Sequence, residues 1–385
     1  MMNPTTLRTV LFGLLVAEVC VISVSIAAGS MLLALIILCL ILLVVRERSF
    51  PSAGRMLDIA LLGYAAAEFL SAAFSAQTMA ALRNSKRLLL VAIVYSVLTS
   101  FTTKDRVKNA LQWLAGSVAV LSIFEIIVMF HDGIARLFVF QHYMTTGGLK
   151  MIVSLLLIPF LLTKEVPKKE RWFWIVSFIP TFIALILTNT RSAWLGLVVG
   201  VIVMSILQYR KLFFILAAGI VAFFLFAPAS QVDRARSIVD ITHHSNAGRL
   251  NMWSTGLRMW QDRPLVGFGD IDLYDTYLTY RTPTGDEPAG HLHNNYIHLL
   301  VTLGVIGLAA AGFLFFTIIR QELSALRALQ SDPFLRDIAL GTLAVFAGFL
   351  INGLFEWNFG DHEIMVFVWF TVGLSRAAYT LQEQA

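Results

Sequence analysis

Residues 30–46 read SMLLALIILCLILLVVR, an apolar run that meets its first charged residue only at Arg46. Runs of this kind, near 20 residues long, recur along the chain, whereas the ten-residue alternating segments of membrane barrels do not. The 385-residue chain is 58% hydrophobic and 14% charged, with a mean hydropathy of +0.76. Soluble proteins carry about 25% charged residues, and so apolar a surface would aggregate in water. The sequence therefore predicts an all-α, polytopic integral membrane protein.

Twelve apolar runs can be interpreted as transmembrane helices. Their approximate limits are 8–28, 30–46, 57–74, 87–103, 108–130, 149–164, 172–188, 191–208, 211–228, 294–319, 336–355 and 363–380. The first two are expected to form an uncleaved helical hairpin, because the second run begins directly at Ser30. The chain then divides into transmembrane helices 1–9 (1–228), one long loop (229–293) and transmembrane helices 10–12 (294–385).

Lysine and arginine predict the orientation, because cytoplasmic loops carry an excess of both. With the N-terminus inside, 17 of the 29 basic residues fall in cytoplasmic breaks. The segment 229–293 then faces outside, and its length is typical of a loop that carries function. In it, Asn246 can cap a helix running to about Asp262, with an apolar face that suits the membrane surface or packing over the spans.

Charge and cysteine content exclude other classes. The net charge of +5 is expected to reflect orientation and contact with membrane lipids, and no nucleic-acid motif is visible, so no nucleic-acid partner is expected. Cys20 and Cys39 both lie in apolar runs and are predicted to be buried small hydrophobes rather than a disulfide or a metal site.

Several basic residues break the orientation rule by falling on the predicted outer face. Each could be a tolerated loop charge or a lipid-headgroup contact, but as a group they indicate an anionic ligand on that face. They are Arg83, Lys86, Arg87, Arg136, Lys150 and Arg191.

Three of the eight histidines fall between His291 and His298, where the long segment meets span 10. Together they could bind a transition metal, although His293 and His298 would point about 140° apart on a helix. They could also be interfacial histidines that only satisfy hydrogen bonds at the helix end. The interpretation we favour is a general base. Asn294 or Asn295 caps span 10, and the positive helix N-terminus should keep His293 neutral near pH 7.

A second outer-face site is predicted where span 8 begins, in the segment Thr188-Asn189-Thr190-Arg191-Ser192. A helix N-terminus with a guanidinium beside it is suited to bind phosphate. Gly196 and Gly200 follow as a G-x-x-x-G pair, which indicates close helix packing rather than chemistry.

These segments resemble the signatures of the bacterial O-antigen ligases and their polymerase relatives. The histidine segment has His293-Asn294, nine residues, and then Gly304-x-x-Gly307. The other matching stretches are Thr188-x-x-Arg191-Ser192 and the segment that runs from Arg249 and Trp253 to PLVGFG at 264–269. The resemblance covers residues 180–320, and the long outer loop before span 10 and the twelve-span count agree with it.

The resemblance implies glycosyl transfer at the outer, periplasmic face of the bacterial cytoplasmic membrane. The donor would be an undecaprenyl-diphosphate-linked glycan and the acceptor a sugar hydroxyl of lipid A–core, with no metal and no other cofactor. Arg191, Arg249 and His293 match the family's catalytic positions. Further substrate contacts are expected from Arg83, Lys86, Arg87, Asn294 and Arg258.

The chemistry of such a transfer needs both residue types. A diphosphate leaving group requires charge neutralisation, which arginines provide, and the acceptor hydroxyl requires a base. Two alternatives remain open: a polymerase of the same superfamily, which uses the same chemistry, and a transporter or flippase of lipid-linked glycans. A transporter would place charged residues along a path at mid-bilayer, whereas these candidates collect on one face.

Overall fold

The computed structural model describes residues 3–282 and 290–384, and in these ranges its regular elements are helices. The all-α prediction is confirmed for this part of the chain. One element, Ser85–Val91, is a 3₁₀ helix. The α-helices are α1 (Pro4–Val21), α2 (Ile26–Glu47), α3 (Arg55–Phe74), α4 (Thr78–Asn84), α5 (Ala92–Ser100), α6 (Lys104–His131), α7 (Tyr143–Leu162), α8 (Lys168–Leu187), α9 (Arg191–Leu207), α10 (Lys211–Phe226), α11 (Ala229–Arg236), α12 (His244–Asp262), α13 (Tyr274–Tyr280), α14 (Asn295–Ala328), α15 (Pro333–Asn352) and α16 (His362–Glu383).

The protein is a multi-pass membrane protein. Among the described helices, nine are long and apolar enough to cross a membrane, namely α1, α2, α3, α6, α7, α8, α14, α15 and α16. Helices α9 and α10 are apolar but shorter, at 17 and 16 residues. The fourth predicted span, 87–103, is the 3₁₀ helix followed by the nine-residue α5. Each predicted span therefore coincides with one helix or, at 87–103, with two consecutive helices. The count of twelve membrane crossings stays a prediction.

Contacts between loops divide the bundle into two ends. At one end, called the outer end after the predicted orientation, the turns 75–77, 132–142, 188–190 and 353–361 meet the long segment 227–294. For example, Ser75 donates to the carbonyl of Phe268 at 2.6 Å. At the inner end, Lys104 pairs with Asp332 at 2.6 Å. Lys150, predicted to lie on the outer face, is instead buried within α7 and pairs with Glu125 of α6 at 2.8 Å.

Small residues join the central helices. A Cβ on Gly196 of α9 would lie 2.7 Å from the Gly348 carbonyl of α15, and one on Gly200 would lie 2.9 Å from the Ala344 carbonyl. Neither glycine can therefore carry a side chain without moving the helices apart. The predicted packing role of this G-x-x-x-G pair is confirmed.

Helix α14 departs from the single uninterrupted span predicted at 294–319. It extends to Ala328 and is broken at Gly304, whose φ of 67° is a left-handed conformation that favours glycine. The broken turn accepts the stretch 264–269: Val305 donates to the Pro264 carbonyl at 2.9 Å, and Gly269 donates to the Thr302 carbonyl at 2.8 Å. The segment 264–269 and the broken turn at Gly304 thus pack directly on each other and fix the first part of α14.

The predicted loop 229–293 contains α11, α12 and α13, and its residues 283–289 lie outside the described residues. The predicted helix to Asp262 is confirmed, but Asn246 does not cap it. Helix α12 begins at His244, because the capping residue is His243, three residues before Asn246; the His243 side chain accepts from the backbone N–H of Ser245. Asn246 instead accepts a hydrogen bond from Arg191.

Candidate active site

His293 lies at the outer end beside a buried carboxylate. Its Nδ1 is 3.1 Å from Oε1 and 3.2 Å from Oε2 of Glu356, in the turn between α15 and α16. The His293 side chain is 24% exposed, whereas that of Glu356 is 9% exposed. The pair therefore has a buried acid and a ring that can be reached from outside.

Local backbone structure fixes this pair. His293 has a φ of 46°, unusual for a non-glycine residue, directly before Asn294, which caps α14 by accepting from the backbone N–H groups of Tyr296 and Ile297. Asn294 also donates to the Leu354 carbonyl at 2.8 Å. The predicted cap is confirmed. Asn294, expected to contact substrate, is buried and engaged in these bonds.

The hydrogen bond to Glu356 determines which ring nitrogen can act. An ionised carboxylate only accepts, so Nδ1 carries the proton and Nε2 of a neutral ring keeps a free lone pair. Burial alone would raise the pKa of Glu356, but the hydrogen bond and charge of His293, the charge of His291 and the Trp357 N–H together lower it. This geometry can orient a histidine base.

Four arginines converge on one small pocket of about 40 Å³ at the same end. Among its described lining residues there is no acidic side chain, so the pocket wall itself offers these cations no anionic partner. They are Arg136, Arg191, Arg234 and Arg249. A concave site of this kind is suited to bind a multiply charged anion such as a diphosphate.

One left-handed residue holds two of these arginines. Asn189 has a φ of 53°, and its carbonyl accepts from Nη2 of Arg136 and from Nε of Arg234, both at 3.1 Å. Arg136 also lies 3.4 Å from the centroid of the Tyr143 ring. The loop before α9 thus positions guanidinium groups from two other segments.

Arg191 was predicted to bind phosphate, but in the structure its guanidinium donates hydrogen bonds to protein atoms. Its side chain is buried, and it donates to the carbonyl of Ser237 at 2.6 Å and to side-chain oxygens of Ser237, Ser245 and Asn246. These bonds tie α9 to the α11–α12 connection. Arg191 therefore lines the pocket as a fixed charge whose terminal nitrogens already have protein acceptors.

Arg249 of α12 is the least engaged of the four. Its Nε is buried and has no hydrogen-bond partner. Burial lowers its pKa, while the nearby Glu356 acts in the opposite direction, so Arg249 links the arginine pocket to the histidine pair electrostatically. Arg258 and Arg263 on the same stretch do not line the pocket: Arg258 is exposed and donates to the Tyr280 carbonyl, and Arg263 donates to the Phe74 carbonyl.

The cluster Arg83, Lys86 and Arg87 is not brought to the arginine pocket. Arg83 is exposed, and Arg87 pairs with Asp270 at 3.1 Å and with Glu68 at 3.6 Å. Lys86 and Arg87 instead line a second cavity of about 930 Å³, together with His291 and Trp357. Of this cluster, only Lys86 therefore combines a place in a cavity with an exposed side chain.

The turn after α15 separates the two cavities. Phe355 lines the arginine pocket and Trp357 lines the larger cavity, with Glu356 between them. The His293–Glu356 pair thus lies at the boundary between a cation-rich pocket and a larger cavity.

An apolar groove of about 640 Å³ lies between α8, α9 and α10. Leu195 and Ile238 line both this groove and the arginine pocket. The groove therefore joins the cations to a surface that can hold a long apolar chain.

One group of described residues could hold a metal ion: His291, His293 and Glu356, whose ligand atoms lie within 4.8 Å of one another. His298 does not join them; its ring lies against Trp357, with centroids 4.0 Å apart. Of the three histidines considered together as metal ligands, the structure thus brings His291 to His293 and leaves His298 apart.

Sequence reasoning missed two residues of this arrangement. Glu356 is 63 positions from His293, and no local pattern indicated the pair. Arg234 lies two residues from Arg236, and only the fold separates them: Arg234 lines the pocket, and Arg236 pairs with Asp233 at the surface. The available signal for Glu356 was an acidic residue in a short outer turn between two apolar spans.

Comparison with known proteins agrees with the resemblance seen in the sequence. Residues 176–312 match the family model described as O-antigen ligase. An O-antigen ligase of Salmonella typhimurium strain LT2 is 27% identical over 286 residues, and the match covers 69% of each chain. The family match contains Arg191, Arg234, Arg249 and His293 but not Glu356. The resemblance to the O-antigen ligase family is thereby confirmed.

Proposed function

We propose that this chain, whose residues 176–312 match the O-antigen ligase family, transfers a glycan from undecaprenyl diphosphate to a sugar hydroxyl of lipid A–core at the periplasmic face of the cytoplasmic membrane. One observation carries the proposal: a pocket with four arginines and no described acidic lining residue lies next to a carboxylate-oriented histidine at one end of the bundle.

The donor diphosphate would bind in the arginine pocket. Arginine remains protonated at neutral pH and binds phosphate oxygens with two donors at once. Burial lowers the pKa of Arg234 and of Arg249, which indicates cations held without full compensation. A bound diphosphate would supply that compensation and, at the end of the reaction, would leave as an anion stabilised by the same groups.

The isoprenoid chain of the donor would lie in the apolar groove between α8, α9 and α10. Because Leu195 and Ile238 line both the groove and the pocket, a diphosphate bound to the arginines would place its chain at the groove. The groove is lined by side chains such as Phe182, Val198 and Phe223, which match the lipid in polarity.

His293 would act as the base. Nε2 takes the proton of the acceptor hydroxyl while the hydroxyl oxygen forms a bond to the anomeric carbon of the donor glycan. The bond between that carbon and the diphosphate oxygen breaks, and its electrons pass to the diphosphate. Glu356 keeps Nδ1 protonated and the ring in place. A single direct displacement inverts the anomeric carbon.

The acceptor would enter through the cavity of about 930 Å³ on the other side of Glu356. Lys86 lines this cavity, and residues of α2 such as Leu33 and Ile37 form part of its wall. A phosphorylated glycolipid has the complementary features, anionic groups for the lysine and acyl chains for the apolar wall.

The test is a reconstituted assay of purified full-length protein with the lipid-linked donor and rough lipopolysaccharide. Glycan-bearing lipopolysaccharide should form with EDTA present, and His293→Ala should reduce turnover by about 10²–10⁴-fold. Retained activity in that variant would overturn the mechanism. A lengthened lipid-linked glycan would identify a polymerase instead, and the absence of any product would favour a transporter.

A further inference from the structure

His291, His293 and Glu356 form a cluster that the proposed transfer uses only in part. One ligand atom of each lies within 4.8 Å of the others, and Nδ1 of His293 is already 3.1 Å from Glu356. Two imidazoles and one carboxylate are a frequent ligand set for zinc. With bonds of about 2.0–2.2 Å, tetrahedral zinc holds its ligands about 3.3 Å apart. The His293–Glu356 separation therefore needs almost no change.

His291 is the side chain that would have to adjust. Its Nδ1 is buried and has no hydrogen-bond partner, and its ring lies 4.2 Å from that of His293, centroid to centroid. A buried polar nitrogen without a partner is costly, and a metal bond would satisfy it. A shift of about 1–1.5 Å brings the three atoms to zinc-binding distances.

The cluster can be reached from outside. His291 lines the cavity of about 930 Å³, and the His293 side chain is 24% exposed. With three protein ligands, a fourth position remains open for water. A cation can therefore reach the cluster through this cavity and, once bound, keep one water ligand.

We infer that His291, His293 and Glu356 form a binding site for a divalent transition-metal ion, exemplified by Zn²⁺, and that the bound ion inhibits the transfer by blocking His293. The ion takes the place of the proton shared by Nδ1 and Glu356. The one proton of the neutral ring then sits on Nε2, which loses the lone pair that would accept the hydroxyl proton. The inhibitory half of this inference rests on the proposed function, whereas the binding half does not.

Binding is tested on tag-free, full-length protein in detergent, stripped with EDTA and titrated with zinc chloride by calorimetry, with bound zinc counted by elemental analysis. We expect one zinc ion per chain and an affinity at least about tenfold lower in His291→Gln. His362→Gln is the matched control, because this histidine lines the same cavity but is not in the cluster. Wild-type protein that binds no zinc, or His291→Gln with unchanged affinity, would overturn the site.

Inhibition is tested by comparing the transfer rate of each variant with and without zinc, so that each variant serves as its own reference. Zinc should reduce the wild-type rate by at least about tenfold, EDTA should restore it, and the reduction should be much smaller in His291→Gln. Zinc that binds without slowing the wild-type rate would overturn the inhibitory role. If the protein shows no transfer at all, the proposed function fails and the calorimetry still decides the site.

Discussion

The basic residues at the two ends of the bundle differ in their partners. At the inner end, Arg8 pairs with Glu47, Lys104 with Asp332, Lys108 with Glu170 and Arg336 with Asp337. At the outer end, Arg136, Arg191, Arg234 and Arg249 line one pocket with no acidic residue among its described lining. These four inner-end cations have an acidic partner and the four cations of the pocket have none in its described lining, whereas Arg87, outside the pocket at the outer end, pairs with Asp270. The structure therefore distinguishes basic residues that are paired with acids from those that line the pocket, which the net charge alone does not.

After His293→Ala, the largest effect on turnover is expected from Arg249→Ala. Removing a cation that stabilises a leaving group typically costs about 10²–10³-fold in turnover. Because the Nε of Arg249 is buried without a hydrogen-bond partner, the thermal unfolding temperature should stay the same or rise. Turnover in the reconstituted assay and thermal unfolding in detergent check both. A variant that keeps its turnover but unfolds earlier would mean that Arg249 has a structural role.

Glu356→Gln should reduce turnover by about 10²-fold, because an amide can donate to Nδ1 and so favour the wrong tautomer of His293. The pKa of Glu356 is lowered below 4.5, so its contribution to stability is present above pH 4.5 and is lost only as the pH falls below that value. Acid unfolding followed by circular dichroism should therefore begin at a higher pH in the variant. Unchanged turnover would exclude Glu356 as the orienting group.

Arg234→Ala and Arg236→Ala form a matched pair from one short helix. Arg234 lines the pocket, whereas Arg236 is exposed and pairs with Asp233 at 3.4 Å. We expect about tenfold lower turnover for the first variant and no change for the second, since exposed pairs contribute little. Equal effects in the assay would contradict the assignment of the pocket.

The smallest effect on turnover is expected at the inner end. Arg336→Ala leaves the fully buried Asp337 without its cation and should lower the free energy of unfolding by about 3 kcal/mol. Turnover per folded molecule should be unchanged. Lys104→Ala is the control, because 51% of that side chain is exposed and its pair with Asp332 should contribute less than about 1 kcal/mol. A loss of turnover per folded molecule in either variant would contradict a purely structural role for the basic residues of the inner end.

Much of the fold follows from local sequence. Apolar runs predict the helices because membrane crossing needs about 20 apolar residues, and each predicted run is helical. The break at Gly304 is different, because it depends on the insertion of the stretch 264–269, about 40 positions earlier. A left-handed glycine inside an apolar run leaves no local signal that distinguishes it from a packing glycine.

The candidate site was predictable only in its local parts. His293 and Arg249 were found through motifs, and the Asn294 cap through helix-start signals. The partners of these residues are set by the fold: Arg191 bonds to residues about 50 positions away, and His293 to Glu356. No spacing rule relates residues that tertiary structure alone brings together.

The most direct test of the arginine pocket as the donor site is a cryo-electron microscopy structure of the full-length protein with undecaprenyl diphosphate. We expect both phosphates among Arg136, Arg234 and Arg249, and the isoprenoid chain along the groove between α8, α9 and α10. Diphosphate bound instead beside Lys86 in the larger cavity, with the arginine pocket empty, would contradict the proposed function.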